Sequence, residues 1–143
     1  MGRIKLIIPE HKIFSTEIAV RITDINYGNH VGNDALVSML HDARMQWLSS
    51  LNYTELNIEN AALIMADLAV EYKAESFYGD VLFIGISIGE ITKVSFEIFY
   101  EVTTIRSDKK ILIAKAKTGM VCYDYEAKKV ANIPERFSQI IKG

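Results

Sequence analysis

Residues 23 to 48 read TDINYGNHVGNDALVSMLHDARMQWL, and the reading of this stretch decides the fold. It opens as a polar turn, Asp24-Ile25-Asn26-Tyr27-Gly28-Asn29-His30-Val31-Gly32-Asn33, and runs directly into a long amphipathic pattern. Leu36, Leu40, Ala43, Trp47 and Leu51 recur at helical spacing, and Val37, Met39 and Leu48 widen the apolar stripe. A helix from Asn33 to Leu51 follows, with Gly32 or Asn33 as its N-cap and Asp34 in the first turn, where an acidic side chain meets the positive helix end. So broad a stripe calls for a sheet wrapped around it.

Upstream, Ile13 to Thr23 alternates as a strand, with Phe14, Thr16, Ile18, Val20 and Ile22 on one face. Downstream of a polar connection, four further strands are expected: Ala61 to Lys73, Asp80 to Glu90, Lys93 to Arg106 and Ile111 to Tyr125. Leu82, Ile84, Ile86 and Ile88 share a face in the second of these; Val94, Phe96, Ile98, Tyr100 and Val102 point inward in the third. Ser107-Asp108-Lys109-Lys110 makes a hairpin turn, after which Leu112, Ala114, Ala116, Met120 and Cys122 share a face. Pro134 starts a short C-terminal helix, Glu135 to Ile141. One helix covers one sheet face. The other, bearing Phe83, Phe99, Ile111, Ile113 and Val121, needs a cover, and a second copy of the chain is the expected one.

The bulk composition narrows the function. A chain of 143 residues, half of them hydrophobic and 24% charged, fits one domain, residues 1–143. A net charge of -2 gives no basic footprint for nucleic acid. One cysteine, Cys122, excludes an internal disulfide, and His11, His30 and His41 are too scattered for a metal cluster, so no metal is expected. No apolar run is long enough to span a membrane, and MGRIKLIIPEHK lacks a signal-peptide core; a cytoplasmic location is expected.

The order of elements, the sequence Asp24 to Asn33 and the helix segment LHDAR (Leu40 to Arg44) together resemble the hotdog-fold thioesterases. The nearest branch is that of hydroxybenzoyl-CoA, short-chain acyl-CoA and plant acyl-carrier-protein thioesterases, which carries D-x-D-x-x-x-H-V-x-N at the helix entrance. VEYKAESFYGDVL, and KAKTGMVCYDYEAKKVANIPERF with its terminal Ile-Pro, are similar to later parts of that family, so the resemblance spans nearly the whole chain. It implies an α+β hotdog fold: a curved antiparallel five-stranded sheet around one long central helix, with a short C-terminal helix. It also implies hydrolysis of an acyl-CoA or acyl-carrier-protein thioester at a dimer-interface pocket in a homodimer or homotetramer, with no cofactor beyond the CoA thioester substrate.

Residue by residue, the resemblance places a catalytic group at Asp24, Asn26 and His30, and substrate contacts at Tyr27, Gly28, Val31, Gly32 and Asn33. The family's second turn carboxylate falls on Asn26, a neutral amide that can orient water but not take its proton. Asp24 is the nearest carboxylate and becomes the expected activator of water. Each residue also has a plainer role: Asp24 as a turn former, Asn26 and His30 as turn residues, Gly28 and Gly32 for positive φ, Asn33 as a cap. Bare amides near Gly28 to Gly32, before a helix N-terminus, suit an oxyanion hole. Farther along, Asp42 reads as a solvated flank, Asp67 as the partner of a cross-sheet cation, and Cys122 as a buried, inert thiol. Two rivals stay open. A hydratase or dehydratase of the same fold is one, although Tyr27 stands where that motif has Pro; a non-catalytic acyl-CoA-binding module is the other.

Overall fold

A computed structural model describes residues 2–143. The elements are β1 (Lys12–Ala19), a single 3-10 turn (Ile22–Asp24), α1 (Asn33–Ser50), β2 (Ala62–Tyr72), β3 (Val81–Ile91), β4 (Ser95–Arg106), β5 (Lys109–Asp124), β6 (Lys129–Val130) and α2 (Glu135–Lys142). All pairings are antiparallel, in the order β1-β3-β4-β5-β2, with β6 paired to β5. The sheet therefore has six strands rather than the expected five. β6 is two residues long, too short to carry an alternation that could be read in advance.

The expected helical stripe is the core. Leu36, Met39, Leu40, Ala43, Trp47 and Leu48 are all buried, and they meet Leu82, Ile84, Ile86, Phe96, Ile98, Tyr100, Val102, Ala116 and Met120 from the sheet. Trp47, Phe96 and Phe137 pack ring against ring at 5.5 to 6.5 Å, and Tyr53 joins them through Phe137, which fastens α2 onto the same core. Arg44 is also buried on this helix, which the hydrophobic pattern did not suggest. Its Nε donates to Glu55 at 3.0 Å and its Nη1 to the Tyr100 hydroxyl at 3.1 Å, and that hydroxyl lies 2.8 Å from Thr118 Oγ1. A buried guanidinium is tolerable only with such partners.

Two expectations are corrected. β1 ends at Ala19 instead of Thr23, because the chain winds into the 3-10 turn and leaves Ile22 69% exposed. In β5 the register slips at Ile113: Val102 pairs with Ala114 but Thr103 with Leu112. One inserted residue turns the alternation over, so Ile113, expected outward, is buried, while Leu112, expected inward, is only half-buried. Part of the outer face, at Glu71, Lys115 and Ser87, is crossed by the chain's own N-terminal arm. Leu6 donates its amide to Glu71 and receives Lys115 Nζ at its carbonyl, and Pro9 O accepts from Ser87 Oγ. Ser87 is fully buried beneath it.

The hairpin after β4 forms as expected: Ser107 and Asp108 both take positive φ, 49° and 61°. Asp67 finds its cross-sheet cation in Lys117, 3.1 Å away, and accepts the Gly119 amide at 2.8 Å.

Candidate active site

The turn before α1 folds as a tiny hairpin. Ile25 bridges Val31, the Asn26 amide donates to His30 O at 2.9 Å, and the Asn29 amide donates to Asn26 O at 3.1 Å. The left-handed residue this requires is Asn29, at φ 65°; Gly28 and Gly32, expected there, do not have positive φ. Asparagine tolerates that conformation because its short side chain bonds locally. The glycines serve close approach instead. A Cβ at Gly28 would stand 3.2 Å from both Asn26 Oδ1 and His30 Nε2, and one at Gly32 would meet Asp34 Oδ1 at 2.7 Å.

This packing gathers three of the expected site residues. Asn26 Oδ1 accepts the Gly28 amide at 2.9 Å, leaving its Nδ2 as the free end, beside Gly32. His30 Nδ1 lies 3.1 Å from Val31 O. A carbonyl only accepts, so Nδ1 carries the hydrogen, and in the neutral ring Nε2 is left as a bare acceptor facing Gly28 and Asn26.

Asp24 is held elsewhere. Its carboxylate is buried and turned onto Arg21, accepting the backbone amide at 2.8 Å and Nη2 at 3.3 Å, while its carbonyl accepts the Gly32 amide at 3.0 Å. Tyr27 projects fully into solvent.

The amides divide in the same way. Those of Gly28, Asn29, Val31 and Gly32 already donate within the protein. Among the described residues, nothing accepts from the amides of His30, Asn33, Asp34 and Ala35, and no side chain caps the first turn of α1. Apart from that of His30, the unoccupied donors therefore lie just past the Gly28 to Gly32 span, in the first turn at the positive end of the helix.

Of these residues, His30, Val31 and Asn33 open onto a cleft of about 260 Å³. His30, Val31, Asn33 and Leu36 form one wall; Tyr72, Lys73, Ala74, Glu75, Ser76 and Ile113 form the other. The second wall, the end of β2 and the connection to β3, was not singled out from the sequence. It is docked by the Val31 amide, which donates to Ser76 O at 2.8 Å. Asp80 and Arg106 brace it from behind: Arg106 Nη2 bonds Asp80 at 2.9 Å and Glu75 O at 2.7 Å, and its guanidinium stacks over Phe77. Burial alone would raise the Asp80 carboxyl, but Arg106 and the Phe77 amide outweigh it and hold it below its usual value. The sequence signal that pointed here is the similarity of the stretch VEYKAESFYGDVL, with its Gly79-Asp80 turn, to the hotdog-fold thioesterases.

No group of three His, Cys, Asp or Glu among the described residues could hold a metal ion. The Cys122 thiol is fully buried, and burial pushes it up to about 11, so it is no nucleophile at neutral pH. Among the described residues, no helix is long and apolar enough to cross a membrane.

A family model, the thioesterase-like superfamily, matches residues 20–141. The chain belongs to the thioesterase-like superfamily. It is 27% identical over 131 residues to the 1,4-dihydroxy-2-naphthoyl-CoA hydrolase of Synechocystis, covering 90% of this chain and 94% of that protein. The crystal structure of a 1,4-dihydroxy-2-naphthoyl-CoA thioesterase from Synechocystis superposes with a TM-score of 0.80 at 26% identity, over 90% of this chain and 95% of that one. A mutant 4-hydroxybenzoyl CoA thioesterase, crystallised with 4-hydroxybenzoyl CoA, shares the fold at a TM-score of 0.79 and 15% identity, over 90% and 97% of the two chains. The hotdog architecture expected from the turn and helix is thus the fold of this superfamily member. It is an enzyme of the thioesterase class, and its Synechocystis relative is a CoA thioester hydrolase.

Proposed function

We propose that this superfamily member hydrolyses an acyl-CoA thioester in the cleft between the α1 entrance and the β2–β3 connection. The observation that carries the reading is a cleft wall on which the His30 imidazole and the start of α1 at Asn33, with its unoccupied amides, stand together, the free Asn26 carboxamide lying next to them at Gly32. A thioester carbonyl placed over the first turn of α1 would develop its negative charge against the amides of Asn33 and Asp34, where the helix end favours it. Water held by Asn26 Nδ2 would give its proton to His30 Nε2 as it attacks, and CoA would leave as the thiolate. Asp24, engaged by Arg21, holds the turn in shape beneath them. Val31, Gly32 and Asn33 frame the acyl group; Tyr27, pointing outward, is left for a contact beyond the cleft.

The cleft exceeds the ~150 Å³ that encloses a benzene ring in an apolar cavity, so a single aromatic ring or a short acyl chain fits. A homodimer deepens it. β2 is an 11-residue sheet edge exposing Met65, Leu68 and Tyr72, and unpartnered edges of that length invite a second copy.

The test is release of free CoA from a panel of aliphatic and aromatic acyl-CoAs by the purified protein, with crotonyl-CoA hydration measured in parallel. Thiol release without hydration supports hydrolysis. Hydration of crotonyl-CoA would shift the assignment to a hydratase of the same fold, and binding with no turnover of any substrate would leave an acyl-CoA-binding module.

A further inference from the structure

A second groove, of about 590 Å³, adjoins the cleft and shares Tyr72 and Lys73 with it. Its remaining walls are Arg3, Ile4 and Lys5 of the N-terminal arm and Val70 and Glu71 of β2. The one carboxylate here is already neutralised: Glu71 takes Lys73 Nζ at 2.7 Å and the Leu6 amide at 3.0 Å, which together hold its carboxyl below the ordinary value. Arg3 and Lys5 have no acidic partner within ion-pair distance among the described residues. Two uncompensated cations therefore stand at the mouth of the cleft on a chain whose net charge is -2. The arm that carries them is pinned to the sheet at Leu6 and Pro9.

We propose that this groove is the docking site for the phosphate-bearing nucleotide end of CoA, with Arg3 and Lys5 as its phosphate ligands and Tyr72 as the wall over which the pantetheine arm passes into the cleft. The proposal rests on the thioester reading of that cleft. Phosphates are the most strongly charged part of the substrate and the farthest from the reacting carbonyl, so their contacts add uniform binding without touching the chemistry. Cations at a cleft mouth also steer an anionic ligand toward it, in a salt-dependent way.

The experiment compares the wild-type chain with the double variant Arg3→Glu/Lys5→Glu, and with Arg3→Ala/Lys5→Ala as a milder pair. Both side chains are exposed and neither has an ion-pair partner among the described residues, so all three proteins are expected to keep the fold. Binding of desulfo-CoA is measured by calorimetry. Steady-state kinetics are run with the best acyl-CoA and with the same acyl group on N-acetylcysteamine, which lacks the nucleotide. The charge reversal is expected to weaken desulfo-CoA binding and raise KM for the acyl-CoA by roughly tenfold. The kcat and the whole N-acetylcysteamine profile stay unchanged, and added salt narrows the gap. Equal desulfo-CoA affinity in wild type and variants overturns the proposal, as does an equal loss with the N-acetylcysteamine thioester. A loss seen only with an acyl-carrier-protein substrate overturns it too and makes the groove a protein-docking surface. Should the wild type bind desulfo-CoA through these residues yet hydrolyse neither thioester, the hydrolase reading fails while the nucleotide site stands.

Discussion

Asp24 and Arg21 close a loop on themselves: the carboxylate accepts the arginine's backbone amide at 2.8 Å and its Nη2 at 3.3 Å, and it is buried in doing so. A carboxylate committed in this way shapes the turn and lets neighbouring groups meet the substrate. Asp24→Asn is therefore expected to lower stability by about 1–2 kcal/mol, since a charge-assisted bond to a backbone amide is lost and the exposed guanidinium adds little. The kcat of the folded enzyme should fall less than about tenfold, against the ~10²–10⁴-fold that removal of a general base costs. Urea unfolding and steady-state kinetics on one preparation check both. Abolished turnover at unchanged stability would return the role of base to Asp24.

Gly28 separates stability from activity in the opposite sense. Its φ is not positive, so alanine is unstrained there and even restricts the unfolded chain. Yet its Cβ would lie 3.2 Å from both Asn26 Oδ1 and His30 Nε2, closer than either can accept without moving. Gly28→Ala should leave the melting temperature nearly unchanged and cut kcat by about ten- to hundredfold, the cost of displacing positioned groups by a fraction of an ångström to an ångström.

The buried Arg44 carries a different load. It links α1 to Glu55 and, through Tyr100, to Thr118. Arg44→Ala strands the hydroxyl pair and part of a carboxylate in the core and should cost about 3–5 kcal/mol. Tyr100→Phe, which removes one hydroxyl from the chain of bonds, should cost about 1–2 kcal/mol. Chemical unfolding with an unchanged m-value is the measurement.

Asp80 supplies a pH signature. Its folded carboxyl is held below the unfolded value, so the stability it contributes is present above the unfolded carboxylate range, ~pH 4, and is lost as pH falls through the lower folded value. Asp80→Asn should thus be less stable than wild type at neutral pH, with the two curves converging below about pH 4. Because Asp80 and Arg106 brace the second cleft wall, the variant should also raise KM.

Much of this was legible from local pattern and some of it was not, for reasons particular residues show. The helix from Asn33 declared itself through a 3.6-residue period, and Leu82, Ile84 and Ile86 or Phe96, Ile98 and Tyr100 through alternation. Alternation cannot register an inserted residue, so the bulge at Ile113 inverted the reading of that position and of Leu112. Nor does a hydrophobic count look for a buried cation such as Arg44. At the site, Asn26 and His30 were readable because they share one short turn. The wall from Tyr72 to Ser76 was not, because it meets that turn through long-range bonds, from the Val31 amide to Ser76 O and from the Tyr72 hydroxyl to Asn33 O. Where Asp24 points is likewise a matter of three-dimensional bonding: spacing alone allowed it to face the cleft beside Asn26, and Arg21 turns it back.

The central claim is that the His30 imidazole, set by its bond to Val31 O, is the base of a thioester hydrolysis. The most direct measurement is single-turnover hydrolysis of a preferred acyl-CoA by wild type and by His30→Gln, a near-isosteric side chain that keeps a donor but offers no comparable base. The account predicts a rate at least about 100-fold lower with substrate affinity and folding unchanged. A His30→Gln enzyme that turns over within a few-fold of wild type would contradict it.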